Sequence, residues 1–368
     1  MRPCWRSAAW LAALCSLSCS PPDGPARGGQ TQPGATVQRP ADQRPADDAP
    51  PPPATRAPVE LEIERISLTG PAADRRAEWS GLAWAGDHLL LLPQFPERFD
   101  GPANGVLFAI PRARLRAWVA GDRQQPIAPQ AIPLQAPGLL QRIPGWQGFE
   151  AIACAGDRVY LTIEAGIDGQ MTGYLITGTL APDLSSLTLE LITLTKIRSQ
   201  AGVANAAEEA LLLTGDRVMT VYEANGANIN PTPRVHVFDR GLRRLPEIAF
   251  PTIEYRVTDA TEVDEHGHFW VYNGFYPGDR QLLQPAPDAI AATYGEGPTQ
   301  VHSDIVERLL PMRIGDDGIH LRERPPIQFR VGEKSRNWEG LARLDERTFL
   351  LASDFFPETI FGYVVIPE

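Results

Sequence analysis

The chain is poor in cysteine, and this scarcity excludes a disulfide framework. Its 368 residues contain four cysteines, of which Cys4, Cys15 and Cys19 lie in an N-terminal stretch with the character of a signal peptide. Cys154 is then alone in the remaining chain, within an apolar strand pattern. We therefore interpret Cys154 as a buried small hydrophobic residue.

Histidine clusters and nucleophile motifs are also absent from the sequence. Since the six histidines are scattered, no zinc site is predicted. The chain has no P-loop, no nucleophile elbow and no recognisable catalytic triad, so no catalytic residue can be named. Positive charge is not in excess either, because the formal net charge is −11. This balance argues against nucleic acid and anionic lipid as partners.

The first 58 residues do not have the composition of a folded domain. Arg2 and Arg6 precede an apolar stretch, residues 8–17, that is too short to span a membrane. We predict a lipoprotein-type signal peptide over residues 1–19, with Cys19 as the lipidated residue; ordinary secretion with an incidental cysteine is the alternative. Residues 20–58 contain almost no large apolar side chain, which predicts a disordered, Pro-rich tether. The expected location is the bacterial cell envelope, lipid-anchored on the periplasmic or surface side.

Residues 59–368 contain a repeated unit of two short strands joined by a tight turn. The first strands of the five copies are residues 79–83, 149–153, 208–212, 258–262 and 338–342. Two further apolar strands follow in most copies, and only residues 288–294 show a weak helical period. Such repeats predict an all-β fold, a β-propeller with four-stranded blades, and we expect it to be monomeric.

The blade count predicted from these copies is five, with a sixth left open. The fifth copy lacks an outer strand, and residues 59–68 alternate apolar and charged side chains. We therefore predict that this N-terminal strand closes the ring by pairing with the C-terminal strand. The long spacing between Tyr276 and Arg330 leaves room for a sixth blade.

An oxygen-bearing side chain recurs at one position of each first strand. Because successive side chains of a strand point to opposite faces, these oxygens are predicted to face the channel. Oxygen ligands around a rigid ring suit Ca²⁺, so we predict one Ca²⁺ on the axis; a polar, water-filled channel is the alternative. The predicted metal ligands are Ser80, Glu150, Glu209, Asp259 or Thr261, and Glu339.

A second polar set follows the second strands of the copies. Its members are Gln94, Glu164, Glu223, Asn273 and Asp354. Every approach to a first strand is basic, the fourth through Arg256. We predict that arginines of the other approaches bind substrate phosphate, with ordinary solvated rim charges as the alternative. These arginines are Arg75, Arg142, Arg198 and Arg336.

Two copies resemble the phytase-like family, also described by an esterase-like activity of phytase. The resemblance is carried by Phe149-Glu150-Ala151-Ile152-Ala153 and Trp338-Glu339-Gly340-Leu341-Ala342, and it extends from about Ile63 to the C-terminus. It implies a secreted or lipid-anchored bacterial β-propeller that hydrolyses phosphoesters or esters. The chain departs from the family at Ala151 and Ser80 and lacks its Asp-rich calcium clusters. The ring positions also resemble the calcium-activated nucleotidases, which hold one Ca²⁺ on the axis.

Two functional hypotheses follow from the sequence. The first is a Ca²⁺-dependent phosphoester or ester hydrolase that acts on a small anionic substrate at the channel mouth. The second is a non-enzymatic propeller that binds a surface ligand or a protein and has a structural metal. The fold does not separate them.

Overall fold

The computed structural model describes residues 58–100, 104–355 and 357–367. The predicted signal peptide, Cys19 and the tether up to residue 57 lie outside the described residues. In these described ranges, no helix is long and apolar enough to cross a membrane.

The strands of the described residues fall into five groups of mostly antiparallel neighbours. Two short strands come first: β1 (Glu60–Leu61) and β2 (Glu64–Arg65). The first group contains β3 (Trp79–Ala85), β4 (His88–Pro93), β5 (Val106–Pro111) and β6 (Gln130–Gln135). The second contains β7 (Trp146–Ala155), β8 (Arg158–Ile167), β9 (Gln170–Leu180), β10 (Leu187–Leu189) and β11 (Thr195–Ile197).

The remaining three groups repeat this order. The third contains β12 (Glu208–Thr214), β13 (Arg217–Tyr222), β14 (Arg234–Asp239) and β15 (Arg244–Ala249). The fourth contains β16 (Arg256–Ala260), β17 (His268–Phe275), β18 (Val306–Ile314), β19 (Ile319–Leu321) and β20 (Ile327–Phe329). The fifth contains β21 (Trp338–Arg343), β22 (Thr348–Ser353) and β23 (Phe361–Val365).

The innermost strands of these groups form a closed ring. Strands β3, β7, β12, β16 and β21 contact one another in chain order, and β21 contacts β3. The predicted all-β propeller is confirmed: the protein is a β-propeller whose sheets surround a central axis. The segment in which a sixth blade was left open forms helical turns and then strands β18 to β20, which join the fourth group.

Apolar side chains pack between neighbouring sheets. Each of five large clusters of buried residues joins two adjacent groups, such as the one that contains Trp270 of the fourth group and Phe349 of the fifth. The rings of these two residues meet edge to face at 5.6 Å. Burial of alternate apolar residues on both faces of each sheet therefore holds the propeller together.

The N-terminal segment pairs with more sheets than the sequence predicts. Strand β2 pairs antiparallel with β23, as expected for a terminal closure. Strand β1 instead pairs parallel with β20 of the fourth group, and Leu68 forms a parallel bridge with Ile127 before β6. A single stretch thus connects several sheets, because its pairing changes within a few residues.

Helices are short and lie in the connections. They are α1 (Arg112–Val119), α2 (Leu139–Arg142), α3 (Arg280–Leu283) and α4 (Ala289–Tyr294), with 3-10 turns at Gly70–Ala73, Pro96–Arg98, Leu191–Thr193, Pro277–Asp279 and Gln300–His302. The weak helical period near residue 288 corresponds to α4, where the Asp288 side chain accepts the N–H groups of Ile290 and Ala291. The sequence pattern does not predict α1, in which Leu115 and Trp118 are buried.

Candidate functional site

Each innermost strand has a β-bulge at the repeated polar position. The pairing register shifts between Trp79 and Gly81, Phe149 and Ile152, Glu208 and Ala210, Val257 and Ala260, and Trp338 and Gly340. A bulge leaves one residue unpaired and changes the direction of its side chain. The bulges therefore change the direction in which the polar side chain of each inner strand points.

One pocket at the end of the channel collects many of these side chains. Its cavity has a volume of about 370 Å³. It brings together three predicted metal ligands (Glu150, Glu209, Glu339) and four members of the second polar set. The lining residues are Gln94, Glu150, Glu164, Asn205, Glu209, Glu223, Arg256, Tyr276, Asp279, Ser335, Asn337, Glu339 and Asp354. We call this cavity the carboxylate pocket.

The other predicted metal ligands do not line the carboxylate pocket. The Asp259 carboxylate accepts the backbone N–H groups of Ala260 (2.8 Å) and of Leu341 in the fifth group (2.6 Å). Asp259 therefore ties two innermost strands together. Thr261 Oγ1 accepts the N–H of Trp270 at 3.1 Å. Ser80 is fully buried, and its Oγ has no hydrogen-bond partner within the described chain.

Asn273 of the second polar set has a structural environment. Its Nδ2 donates to the carbonyl groups of Glu254 and Arg256, and its Oδ1 accepts from Arg308 Nε at 2.8 Å. Arg308 is buried and paired in turn with Asp288, which precedes α4. Asn273 thus helps to attach the connection between β17 and β18 to the fourth group.

The four predicted phosphate-binding arginines lie outside the carboxylate pocket. Arg75 is exposed and paired with Glu358, and Arg142 is exposed at the end of α2. Arg336 is paired with the fully buried Glu307. Arg198 lines a separate groove between the second and third groups. The repeat predicts a basic residue in each approach, but it does not predict the ion pairs that Arg75 and Arg336 form.

Arg256 is the only cationic side chain among the residues that line the pocket. Its Nη1 is paired with Glu223 and its Nε donates to Asp279 Oδ2 at 2.8 Å. The Arg256 side chain is 14% exposed. The charges of Glu223 and Asp279 raise the pKa of Arg256, although burial opposes this. Arg256 is the basic residue in the approach to the fourth copy, and this position in the sequence is a signal that could have identified it as a site residue.

The carboxyl groups of the pocket differ in their affinity for protons. Burial, and next the charge of Glu164, hold the pKa of Glu150 well above its usual range. Burial raises the pKa of Glu164 to about 7, with a further contribution from the charge of Glu223. Burial also raises the pKa of Glu223, but Arg256 opposes that shift. Of these three glutamates, Glu223 is the one whose ionised form is favoured by a paired cation, Arg256.

Burial also raises the pKa values of two further carboxyl groups that line the pocket. Burial, with the charge of Asp354 next, holds the pKa of Glu339 well above its usual range. Burial also holds the pKa of Glu209 well above its usual range, and the charge of Glu150 adds to this shift. Asn337 Nδ2 donates to Glu339 Oε1 at 2.5 Å and to Asp354 Oδ2 at 3.3 Å. The pocket thus combines carboxyl groups whose pKa burial raises with two carboxyl groups, Glu223 and Asp279, that are paired with Arg256.

The donor set for the predicted Ca²⁺ is present only in part. Glu164 Oε1, Glu223 Oε2 and Glu339 Oε2 are buried and have no hydrogen-bond partner within the described residues. Oxygen atoms of this kind are ligands that Ca²⁺ accepts. However, no group of three or more His, Cys, Asp or Glu side chains in the described residues is arranged so as to hold a metal ion. The axial Ca²⁺ stays a prediction.

Comparison with known proteins adds no family. No protein-family model matches the chain, and no curated protein matches it. The resemblance to the phytase-like family therefore stays a prediction.

Solved structures with a similar course of the chain are glycan-active enzymes of low identity. One is described as the GH130 family of mannoside phosphorylases, containing glycoside hydrolases that target beta-1,2 mannosidic linkages in Candida mannan. It has 8% sequence identity, the match covers 85% of this chain and 97% of that chain, and the TM-score is 0.46. An exo-1,5-alpha-L-arabinanase from a bovine ruminal metagenomic library has 10% sequence identity over 79% of this chain and 94% of that chain, with a TM-score of 0.41. The alpha-L-arabinanase of Cellvibrio cellulosa has 9% sequence identity over 78% of this chain and 90% of that chain, with a TM-score of 0.41. At these values the likeness carries no argument about activity.

Proposed function

We propose that the protein is a hydrolase in which carboxyl groups of the carboxylate pocket act as general acid and general base. The observation that carries this proposal is the contrast between Glu164 and Glu223. Glu164, whose pKa burial raises to about 7, can hold and release a proton near neutral pH. Glu223 is paired with Arg256, whose charge favours the ionised form of this carboxyl group. Two carboxyl groups with different proton affinities in one pocket are suited to acid and base roles.

The charge of the pocket supports a substrate without negative charge at the reacting group. Seven carboxyl groups and one arginine line the cavity, and Arg256 is already engaged by Glu223 and Asp279. A phosphate group would find no available cation there. The amide groups of Gln94, Asn205 and Asn337 offer neutral hydrogen-bond partners to hydroxyl groups.

The bond class that this chemistry cleaves is the glycosidic bond of an uncharged saccharide. A carboxylic acid protonates the leaving oxygen, while a carboxylate either activates water or attacks the sugar carbon. We assign the first role to Glu164 and the second to Glu223. Water supplies the hydroxyl group of one product, and the proton from Glu164 completes the leaving alcohol. Either route returns the proton to the pocket.

Hydrolysis of a panel of p-nitrophenyl glycosides tests this proposal. Glu164→Gln and Glu223→Gln keep side-chain size but remove the acid and the base, so kcat/KM should fall by about a hundredfold or more. Glu346→Gln, in the exposed turn between β21 and β22, is the matched control and should retain full activity. Turnover that is the same in all three variants would contradict the assignment of this pocket.

Cation binding is a second candidate, favoured by the buried oxygen atoms of Glu164, Glu223 and Glu339 that have no partner in the described residues. Under this hypothesis the propeller binds Ca²⁺ in the carboxylate pocket and recognises a surface ligand without turnover. Calorimetric titration of Ca²⁺ into the metal-free protein tests it. Saturable binding that Glu339→Gln weakens, without hydrolysis of any ester or glycoside, would support this candidate over the hydrolase.

The predicted lipid anchor belongs to the proposal as well, since Cys19 follows an apolar segment and precedes a Pro-rich stretch. Expression of the full chain with Cys19→Ala should move the protein from the membrane fraction to the soluble fraction. An unchanged distribution would favour ordinary secretion.

A further inference from the structure

A second cavity lies between the outer strands of the second and third groups, away from the carboxylate pocket. It has a volume of about 530 Å³. One wall is the segment after β11, and the other is formed by β14 and β15. Its lining residues are Arg198, Ser199, Gln200, Asn230, Thr232, Arg234, His236, Arg244 and Glu247. We call this cavity the arginine groove.

The arginine groove is basic, although the chain carries a formal net charge of −11. Arg198, Arg234 and Arg244 line it with Glu247 as the single carboxylate. Lys196 and two of these arginines also line an adjoining depression. The groove therefore has the opposite charge to the carboxylate pocket, in which one arginine faces seven carboxyl groups.

Backbone contacts hold two of the arginines in place and leave donors unused. Arg244 Nη2 donates to the Lys196 carbonyl at 2.5 Å, across the boundary between the two groups. Arg234 is fixed through its main chain, where Gln200 donates to its carbonyl at 2.7 Å and accepts its N–H at 2.9 Å. Its Nη2 donates to the Glu247 carbonyl at 3.5 Å. A guanidinium has five N–H donors, so most of them remain for a ligand. The Arg198 side chain forms no hydrogen bond within the described residues.

A buried histidine forms the floor of the groove. His236 Nδ1 lies 2.7 Å from Glu247 Oε1, and its Nε2 lies 3.2 Å from the Arg198 carbonyl. Both ring nitrogens thus lie within hydrogen-bond distance of an oxygen atom. The buried Glu208 Oε1, 3.7 Å from Nε2, has no hydrogen-bond partner in the described chain. These contacts fix the position of the Arg198 backbone.

We propose that the arginine groove binds a tetrahedral oxyanion, phosphate or sulfate, through Arg198, Arg234 and Arg244. Planar guanidinium groups match the oxygen atoms of such anions in pairs, and three arginines line this groove. This site does not depend on the proposed hydrolase activity. It also gives Arg198 the kind of ligand predicted for it, but at a place remote from the carboxylate pocket.

Calorimetric titration of the folded protein tests the site with inorganic phosphate, sulfate, glucose 6-phosphate and acetate. Phosphate and sulfate should bind, acetate more weakly, and added salt should weaken all of them. Tighter binding of glucose 6-phosphate than of phosphate identifies an anion carried by a larger molecule; equal binding identifies the free ion. Arg198→Gln and Arg234→Gln should each weaken binding about tenfold.

Arg217→Gln is the matched control, since Arg217 is exposed at the start of β13, outside the groove. It should leave the affinity unchanged. Phosphate should also shift the NMR signals of the His236 ring, a readout that does not depend on the variants. Absence of binding by both phosphate and sulfate, or equal losses in all three variants, would overturn the proposal.

Discussion

Arg256 donates a hydrogen bond of 2.8 Å from Nε to Asp279, and this contact attaches the connection between β17 and β18 to the carboxylate pocket. Arg256 begins the fourth innermost strand, and its Nη1 is paired with Glu223. Asp279 therefore holds the guanidinium in the orientation in which it pairs with Glu223. A residue from a long connection thus completes a site that the inner strands build.

Asp279→Asn should lower kcat of the proposed hydrolase by about tenfold or more, with a smaller effect on KM, because the guanidinium beside Glu223 loses one of its two anchors. Steady-state kinetics on the best p-nitrophenyl glycoside measures this. Asp304→Asn is the control, since Asp304 lies in the same connection and is 71% exposed. Equal activity in the two variants would argue against a positioning role for Asp279.

Stability should fall as the pH rises from 4.5 to 7. The Glu164 carboxyl has its ordinary pKa of 4.5 in the unfolded chain and a pKa of about 7 in the folded protein. Between these values the folded state binds more protons, so its stabilisation is complete below 4.5 and lost as the pH passes 7. Thermal unfolding of the wild type and Glu164→Gln across this window measures the effect. The variant should show the shallower decline, and parallel curves would contradict the assignment.

Arg336→Met should destabilise the protein by about 3 kcal/mol or more, because it leaves Glu307 buried without its ion pair. Glu307 is fully buried and accepts Arg336 N–H groups at 2.6 to 3.4 Å and Trp338 Nε1 at 3.1 Å. Urea unfolding measures the loss. Arg142→Gln, at an exposed position, should change the free energy of unfolding by less than about 0.5 kcal/mol. Similar values for both would show that Arg336 has no structural role.

Cys154 should react slowly with iodoacetamide in the folded protein. Cys154 is half-buried rather than fully buried as the sequence predicts. Its loss of contact with water still raises the pKa of its thiol to about 12, so little thiolate is present near neutral pH. Mass spectrometry after timed alkylation, with and without urea, measures the difference. Rapid modification of the native protein would show that this inner strand opens or that the thiol is accessible.

The sequence repeat predicts the propeller well because its signal is local. Each copy predicts a hairpin, and the hairpins appear as β3–β4, β7–β8, β12–β13, β16–β17 and β21–β22. Alternation of apolar side chains also predicts which faces pack. The division of residues 59–68 among several sheets is not predictable in this way, since it depends on where the chain ends meet.

The site is predicted only in part, and the bulges give the reason. Glu150, Glu209 and Glu339 reach the pocket, whereas Asp259 at the equivalent position binds backbone N–H groups of two strands. Repetition suggests equivalent roles, but a bulge can direct each side chain differently. Arg256 and Asp279 form their contact across 23 residues of sequence, which no local pattern reports.

The most direct test of the proposed activity is the selectivity of the wild-type protein between uncharged and anionic substrates. The measurement is kcat/KM for p-nitrophenyl glycosides relative to p-nitrophenyl phosphate under identical conditions. We predict that a glycoside is hydrolysed at least about a hundredfold more efficiently, because the pocket offers no available cation to a phosphate group. Preferential hydrolysis of the phosphate ester, abolished by Glu164→Gln, would contradict the account.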